Sequence, residues 1–469
     1  MIRGEQFIWL NDRGNTQTLF QLFQHAEECG LNKEEYLSDV ISSMGNNTFI
    51  PPSRNDSLVM DVCLTDAAIH FFIDLAYGNR KPMIGYNGLN YVPDCFDIPR
   101  LLSAAITETR LLGLVEDLEP ALPGYKTSND WLTLFYQSVN DSLYKEEKIT
   151  TLRTDKTNQP LLNKLYYLGI IDSLNVNFTA PFIKQKVRTA QSLFNLITDG
   201  VLTKSTLAAL NRPLQVRIEE LKAAMNTMRW LRCISMQSPV FIVNIPSASL
   251  LVIHNGNILL QSKVIVGKES TPTPTLASTI TDVILYPYWI VPNKIASREL
   301  LPLIKRNPGY LEANSMQVLN KAGKIVRADA INWNSLSSSY FPYTLRQSTG
   351  CDNSLGIVKL NFYSPYGVYL HDTPWKVLFN FNKRYFSHGC MRVEKAIELA
   401  HFLLKENSIA IDTLEEKGCI RNQAPIFIPV KERIPVMVLY NTAWFDSTGI
   451  VQFNDDIYRK LDRGQKHIK

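Results

Sequence analysis

The chain has 469 residues, 45% apolar and 20% charged, with 22 Gly and 24 Pro, and usage this near the globular average excludes a collagen, a disordered tail and a coiled-coil rod. At roughly 150 residues per domain the length corresponds to about two or three domains, each able to bury its own core without a disulfide or metal staple. Lys plus Arg (49) against Asp plus Glu (44) leaves a net charge of +5, too mild over this length to mark nucleic acid as a partner.

No window approaches the roughly 18 to 20 uninterrupted apolar residues of a membrane-spanning helix. The start, Met1-Ile2-Arg3-Gly4, lacks the apolar stretch of a secretory signal, which leaves either a cytosolic protein or a chain whose leader has been removed. Cys29, Cys63, Cys95, Cys233, Cys351, Cys390 and Cys419 are scattered without a CxxC pair, so zinc and thioredoxin-like chemistry have no support. The odd count leaves at least one thiol unpaired, and the expected role of each is that of a small buried hydrophobe.

Residues 1 to about 150 read mostly as helices. Leu64 to Ala76 carries apolar residues at helical spacing with Thr65 or Asp66 as its cap, and His70 there is a core-edge histidine rather than a ligand. Pro82 to Pro99, dense in Pro, Gly, Asn and Tyr, is a long loop. Next come two amphipathic runs, Leu161 to Leu168 and Ile183 to Leu196, then an Asp199-Gly200 turn and a helix capped by Thr203 that carries Leu207 and Leu210. Helical character resumes over Arg217 to Arg232.

Beyond Pro239 the texture changes to short β-rich runs: Val240 to Asn244, Leu250 to His254, Val264 to Val266, Ile357 to Phe362 and Gly367 to His371. Ser297 to Lys305 reads as a helix between strands, and Pro435 to Phe445 as a further strand closing the same sheet.

The chemistry concentrates in Val368-Tyr-Leu-His-Asp-Thr-Pro and, after a loop, Ser387-His-Gly-Cys-Met-Arg. Alternation places Tyr369 and His371 on one strand face. Helical spacing from Val393 to Leu404 puts Cys390 at or just before a helix N-terminus, where the dipole favours a thiolate. A cysteine nucleophile needs a base, and His371, 19 residues earlier, can loop back beside it. Gly389 allows close backbone approach and contributes N–H groups for an oxyanion. Arg392 can orient a carboxylate or phosphate, and His388 is a second candidate base. Spacing alone leaves open that Cys390 is simply structural.

The window Ser387-His388-Gly389-Cys390-Met391-Arg392, with His371 upstream, resembles the signature of the L,D-transpeptidase (YkuD) catalytic domain. Val264-Ile-Val-Gly-Lys, Tyr286-Pro-Tyr-Trp-Ile-Val-Pro, Asn353-Ser-Leu-Gly-Ile-Val-Lys and Tyr440-Asn-Thr-Ala extend the likeness to its large YcbB-like subgroup. The Asp199-Gly-Val run resembles the end of a small three-helix peptidoglycan-binding domain. His388 stands where close members often have Ser, and Thr349 where Pro is common.

The resemblance implies a multidomain α+β fold. A helical scaffold, 1–157 completed by 213–238, holds an inserted small helical peptidoglycan-binding domain, 158–212. A mostly β, sandwich-like catalytic domain follows at 239–469, with a lid at about 293–345 whose Trp333, Tyr340, Phe341 and Tyr343 are either lid surface or local core. It implies Cys390 as nucleophile, His371 as base oriented by the Asp372 carbonyl, and an oxyanion hole from the backbone of His388, Gly389 and Cys390. Arg392, Ser387 and Tyr369 are the implied substrate contacts, and neither metal nor cofactor is expected. The implied reaction joins peptidoglycan stem peptides through a thioester, in the periplasm or cell envelope, with other wall-synthesis proteins as further partners. Same-fold alternatives are an L,D-carboxypeptidase and a wall-peptide hydrolase. A non-catalytic wall-binding scaffold and a cytosolic cysteine protease are the readings from other classes.

Overall fold

The computed structural model describes residues 7–38, 41–42, 53–154, 157–174, 178–307, 309–350, 352–405 and 423–461. Its N-terminal part is helical, with Arg13–Gln24, Arg54–Tyr77, Ile98–Thr107, Leu111–Leu118 and Pro123–Asn140 as its main elements. The first four bury Leu19, Phe23, Leu64, Phe71, Leu75 and Leu102 in one cluster. The helix expected to start at Thr65 or Asp66 starts instead at Arg54, where Ser53 Oγ accepts from the Asp56 N–H at 3.2 Å. Its first turns are mostly solvent-facing, so apolar spacing becomes visible only from Leu64. His70 lies exposed on this helix, 3.3 Å from Asp74.

Gln159–Tyr167, Ala180–Leu193 and Lys204–Leu210 form the next helical group. Thr203 caps the last of these as the sequence predicts, its Oγ1 accepting from the Thr206 N–H at 3.2 Å. Buried Gln191 locks the preceding turn, donating to Asp199 and the Val201 carbonyl and accepting the Gly200 N–H.

Leu214–Gln237 is buried nearly all round, the mark of a helix with partners on several sides. Pro123–Asn140 and the strands beyond Ser238 pack against it. Cys233 on this helix is bonded to Cys95, 138 residues earlier, which corrects the expectation of isolated thiols. The loop over Pro82 to Pro99 returns to the helix and brings the two Cα atoms to 5.4 Å, well inside bonding reach. Cys29, Cys63 and Cys390 are free thiols, and Cys351 and Cys419 lie outside the described residues.

The strands Val240–Asn244, Ser249–His254, Asn257–Gly267, Met391–Val393, Leu370–His371, Val358–Phe362, Leu276–Leu285 and Ile426–Leu439 pair in that order. Ile426–Leu439 pairs back to Val240–Asn244, so the strands form a closed ring, which leaves few open edges. Phe241, Val243, Leu250, Val252, Leu360, Leu370 and Met391 form one core with Leu399 and Leu403 of helix Ala396–Leu404. Val240, Ile242, Leu251, Ile253 and Met437, on the opposite face, join the core of helix Leu214–Gln237. Val240–Asn244 is buried at every position because it separates two cores, hence its unbroken apolar run.

Pro435 to Phe445 is not one strand. The ring strand ends at Leu439, and Ala443–Phe445 pairs with Val451–Phe453 in a separate hairpin. Asn244 and Asn441 break the register between them: the Asn441 N–H donates to Asn244 Oδ1 and Asn244 Nδ2 to the Asn441 carbonyl.

Trp289–Ile290, Thr344–Gln347, Met316–Leu319 and Ile325–Val326 form a small sheet of their own, with a core of Val291, Leu300, Leu301, Ile304, Leu311, Val318 and Leu345. Within it Phe341 is buried, Trp333 and Tyr343 pack on that core, and Tyr340 faces solvent. The Ser297 to Lys305 helix is present as a π-helical turn, Ala296–Leu300, running into Leu301–Arg306.

Candidate active site

Strand register assembles the site. Leu370–His371 pairs in parallel with Met391–Val393, matching Leu370 to Met391 and His371 to Arg392. It pairs antiparallel with Val358–Phe362, matching Leu360 to Leu370 and Lys359 to His371. Residues in register share a face and their neighbours alternate. Leu360, Leu370 and Met391 therefore enter the core, while Lys359, His371 and Arg392 line the opposite face. Tyr369 and Cys390 extend that face by one step. The Met391 N–H donates to the Tyr369 carbonyl at 3.0 Å, and the Tyr369 ring meets the His371 imidazole edge-on with centroids 5.6 Å apart.

His371 is buried, with Nδ1 2.5 Å from the main-chain oxygen of Asp372. A carbonyl only accepts, so Nδ1 carries the proton and Nε2 keeps its lone pair. Burial, reinforced by the charges of Arg392 and Lys359, pushes the imidazole pKa down to about 3. The ring is therefore neutral at pH 7.

Cys390 does not sit at a helix N-terminus. It is followed by the strand Met391–Val393, and the helix begins only at Ala396. Met391 and Val393 face the core through strand alternation, and Val393 lies three residues before Ala396, so it also fits the helical stripe that follows. Without a dipole to stabilise the anion, burial raises the thiol pKa. The Tyr369 N–H and phenol, with Lys359 and Arg392, oppose that rise without overcoming it. At rest the thiol and the imidazole are thus both neutral, not the ionised thiol that a helix end favours.

The turn leading into Cys390 is held from several sides. Gly389 has φ +117, a conformation suited to glycine. Its N–H donates to Ser387 Oγ at 3.1 Å, and its carbonyl accepts from Thr273 Oγ1 at 2.9 Å. Thr273 Oγ1 in turn accepts the Gly267 N–H at 2.8 Å. The Tyr458 hydroxyl donates to the Gly267 carbonyl and accepts the Thr273 N–H, and Thr271 Oγ1 donates to the Ser387 carbonyl. Thr271 and Tyr458 were not singled out from the sequence. The only local signal is Thr271-Pro-Thr-Pro, where prolines strip the backbone of donors and leave hydroxyls to bind.

His388 points elsewhere: its Nε2 lies 3.1 Å from Glu299 in the π turn of the small subdomain. The Asp372 carboxylate is held by Lys376 at 2.5 Å and by the Ile357 N–H at 3.0 Å. It packs so closely on Gly356 that a Cβ there would fall 2.2 Å from Oδ2. Lys359 lies 4.0 Å above the Tyr369 ring and Arg392 5.2 Å above that of Trp375. Among the described residues neither cation has a carboxylate in ion-pair range, so both are available to an anionic group of a ligand.

Residues 238–414 match the L,D-transpeptidase catalytic domain family, YkuD. Residues 2–132 match a scaffold domain and 156–210 a peptidoglycan-binding domain. A Haemophilus influenzae protein named as an L,D-transpeptidase is 37% identical over 234 residues, 50% of this chain and 47% of its own. The chain thus spans about half the length of that curated relative. Among solved structures, the Mycobacterium smegmatis L,D-transpeptidase aligns with 14% identity and a TM-score of 0.20, covering 43% of this chain and 58% of that one. The Stackebrandtia nassauensis enzyme aligns with 13% identity and a TM-score of 0.22, covering 62% and 98%.

Proposed function

We propose that this chain, which carries a YkuD-type L,D-transpeptidase catalytic domain and a peptidoglycan-binding domain, is a cysteine-dependent peptidoglycan L,D-transpeptidase. One observation carries the reading: the register that places Cys390, Tyr369 and His371 on one face, with Nδ1 of the imidazole committed to the Asp372 carbonyl. In this scheme His371 Nε2 takes the Sγ–H proton as the sulfur attacks the amide carbonyl after the L-centre of diaminopimelate in a tetrapeptide stem. The tetrahedral intermediate collapses by breaking the C–N bond, and His371 returns the proton to the departing D-Ala amine. A side-chain amine of a second stem then attacks the thioester carbonyl, loses its proton to His371 and releases the thiol.

The oxyanion is assigned to the backbone of His388, Gly389 and Cys390. The Gly389 N–H becomes available once Ser387 Oγ is displaced, which makes Ser387 a substrate-responsive contact. Arg392 and Lys359 suit the carboxylates of the stem, and Tyr369 steadies the developing thiolate. The division proposed is a scaffold over 1–157 and 213–238, an inserted domain over 158–212, and a catalytic domain over 239–469 whose lid covers about 293–345.

A periplasmic site of action fits the wall-directed domains, and the Cys95–Cys233 bond suits an oxidising compartment. Among the described residues no helix is long and apolar enough to cross a membrane.

Incubation with a purified disaccharide-tetrapeptide and mass analysis of the products tests the reading. Dimer with loss of D-Ala is the expected outcome. Tripeptide alone supports a carboxypeptidase instead, and no product together with no carbapenem adduct at Cys390 overturns catalysis altogether.

A further inference from the structure

A groove of about 290 Å³ lies away from the thiol, where three parts of the molecule meet. Asn195 from the small helical group forms one wall, the hairpin carrying Trp444 and Gln452 another, and the segment from Phe379 to Arg384 the third. We infer that this groove binds the sugar of a peptidoglycan strand, an uncharged N-acetylated disaccharide, and presents its stem peptide to Cys390. The inference rests on the transpeptidase reading for the identity of the strand.

The lining is chemically selective. Each charged side chain in it is already engaged: Arg384 is buried with its guanidinium on the carbonyls of Val264, Ser247, Ala248, Phe381 and Asn382. Lys263 lies 3.8 Å from Glu394, and Asp446 accepts from Thr448 and Ile450 within its own turn. A phosphate or carboxylate would therefore find no uncommitted partner there. Neutral donors and acceptors remain, because the side-chain amides of exposed Asn380 and half-buried Asn382 line the groove and hold no partner among the described residues. Planar amides offering a donor and an acceptor side by side match the hydroxyl and acetamido groups of such a sugar. Phe381 adds an apolar ring that is 53% exposed, a surface for the C–H face of the sugar.

The path to the thiol is also built. Phe381 meets Phe386 with ring centroids 6.0 Å apart, and Phe386 is itself 43% exposed. Tyr385–Ser387 runs extended from Arg384 at the groove toward the Cys390 turn. Cys390 stands six positions beyond Arg384, at most about 20 Å of extended chain. Three stem residues span about 10 Å, and the acyl link and sugar ring supply the remainder.

The test uses the full chain and two probes. The disaccharide N-acetylglucosaminyl-N-acetylmuramic acid, its lactyl carboxyl capped as the methylamide so that it is uncharged as in the strand, is followed by saturation-transfer NMR on its acetyl methyls, and disaccharide-tetrapeptide is compared with free tetrapeptide as donor. The wild type is expected to show the methyl signal and a lower KM for the glycan-linked donor. Asn380→Ala with Asn382→Ala, and separately Phe381→Ala, should erase the signal and cut the preference about tenfold, the scale set by losing one or two hydrogen bonds. An unaltered melting temperature and carbapenem adduct show that these substitutions leave the fold intact. The inference is overturned if the wild type shows no methyl signal, or if signal and preference survive in both variants. Loss of the carbapenem adduct in the wild type would strike the transpeptidase reading instead, while the NMR arm still decides whether the groove holds a sugar.

Discussion

His371 donates through Nδ1 to the carbonyl oxygen of its own neighbour, Asp372, at 2.5 Å, and the neutral ring this fixes governs the response to pH. With the imidazole pKa pushed down to about 3, the proposed base stays available well into acid. Cys390 acylation by a carbapenem should therefore hold its rate from pH 7 to pH 5, where a histidine at its ordinary value would lose roughly thirtyfold. A sharp fall centred near pH 6.5 would contradict the neutral-pair assignment.

The same depressed pKa makes a stability statement. Between about pH 6.5 and pH 3 the unfolded chain binds a proton at this position that the folded chain does not. Its contribution is complete above pH 6.5 and is lost as pH falls, by at most about 1.4 kcal/mol per unit. Thermal melts of the wild type and His371→Gln across pH 4 to 7 should show the variant losing less stability toward acid.

The backbone and phenol of Tyr369 oppose the rise in the Cys390 thiol pKa, while the sulfur itself makes a long hydrogen bond, 4.0 Å, to the Gly367 carbonyl. Tyr369→Phe removes one donor to a developing anion, a contribution of about 1.5–3 kcal/mol. Carbapenem acylation should slow by about tenfold to a hundredfold with little change in melting temperature. Cys390→Ala should abolish the adduct. An acylation rate in Tyr369→Phe equal to wild type would remove the phenol from the scheme.

Much of this was readable in the residues. The Thr203 cap, the Asp199-Gly200 turn and the shift to strands after Pro239 are local signals, carried by side chains acting within a few positions. The face shared by Tyr369 and His371 followed from alternation, and Asp372 from a family pattern. What escaped depends on distant partners. The Cys95–Cys233 bond needs the loop before Ile98 to return to a helix beginning at Leu214. Val393 satisfied a helical stripe and a strand equally well, and only the facing strands Leu370–His371 and Asn257–Gly267 decide between them. Lys359 reaches the site by register alone.

Thr273 links the Gly389 carbonyl to the Gly267 N–H through one hydroxyl. Thr273→Val keeps the shape but leaves two buried groups unpaired, at a cost of about 2–4 kcal/mol. Thr273→Ser should recover most of both stability and acylation rate. Equal loss in Ser and Val would show that the methyl group, not the hydroxyl, matters.

Removing the Cys95–Cys233 bond by a double change to Ser should lower stability by about 2–5 kcal/mol, since it closes a long loop. Chemical denaturation in the presence and absence of reductant checks this. Wild-type protein should lose stability on reduction, and the double variant should be indifferent to it.

His388 and Glu299 join the nucleophile turn to the small subdomain across 3.1 Å. The pair is partly exposed, so its contribution to stability is at most about 1 kcal/mol, and Glu299→Gln should melt close to wild type. Its consequence is expected in partition. A thioester resolved by an amine must be kept from water, and the subdomain carrying Glu299 is the proposed lid over it. Loosening a contact of that size should raise the ratio of hydrolysed tripeptide to cross-linked dimer about two- to fivefold. Mass analysis of both products from one reaction measures the ratio directly, and an unchanged ratio would show that the pair has no part in shielding the intermediate.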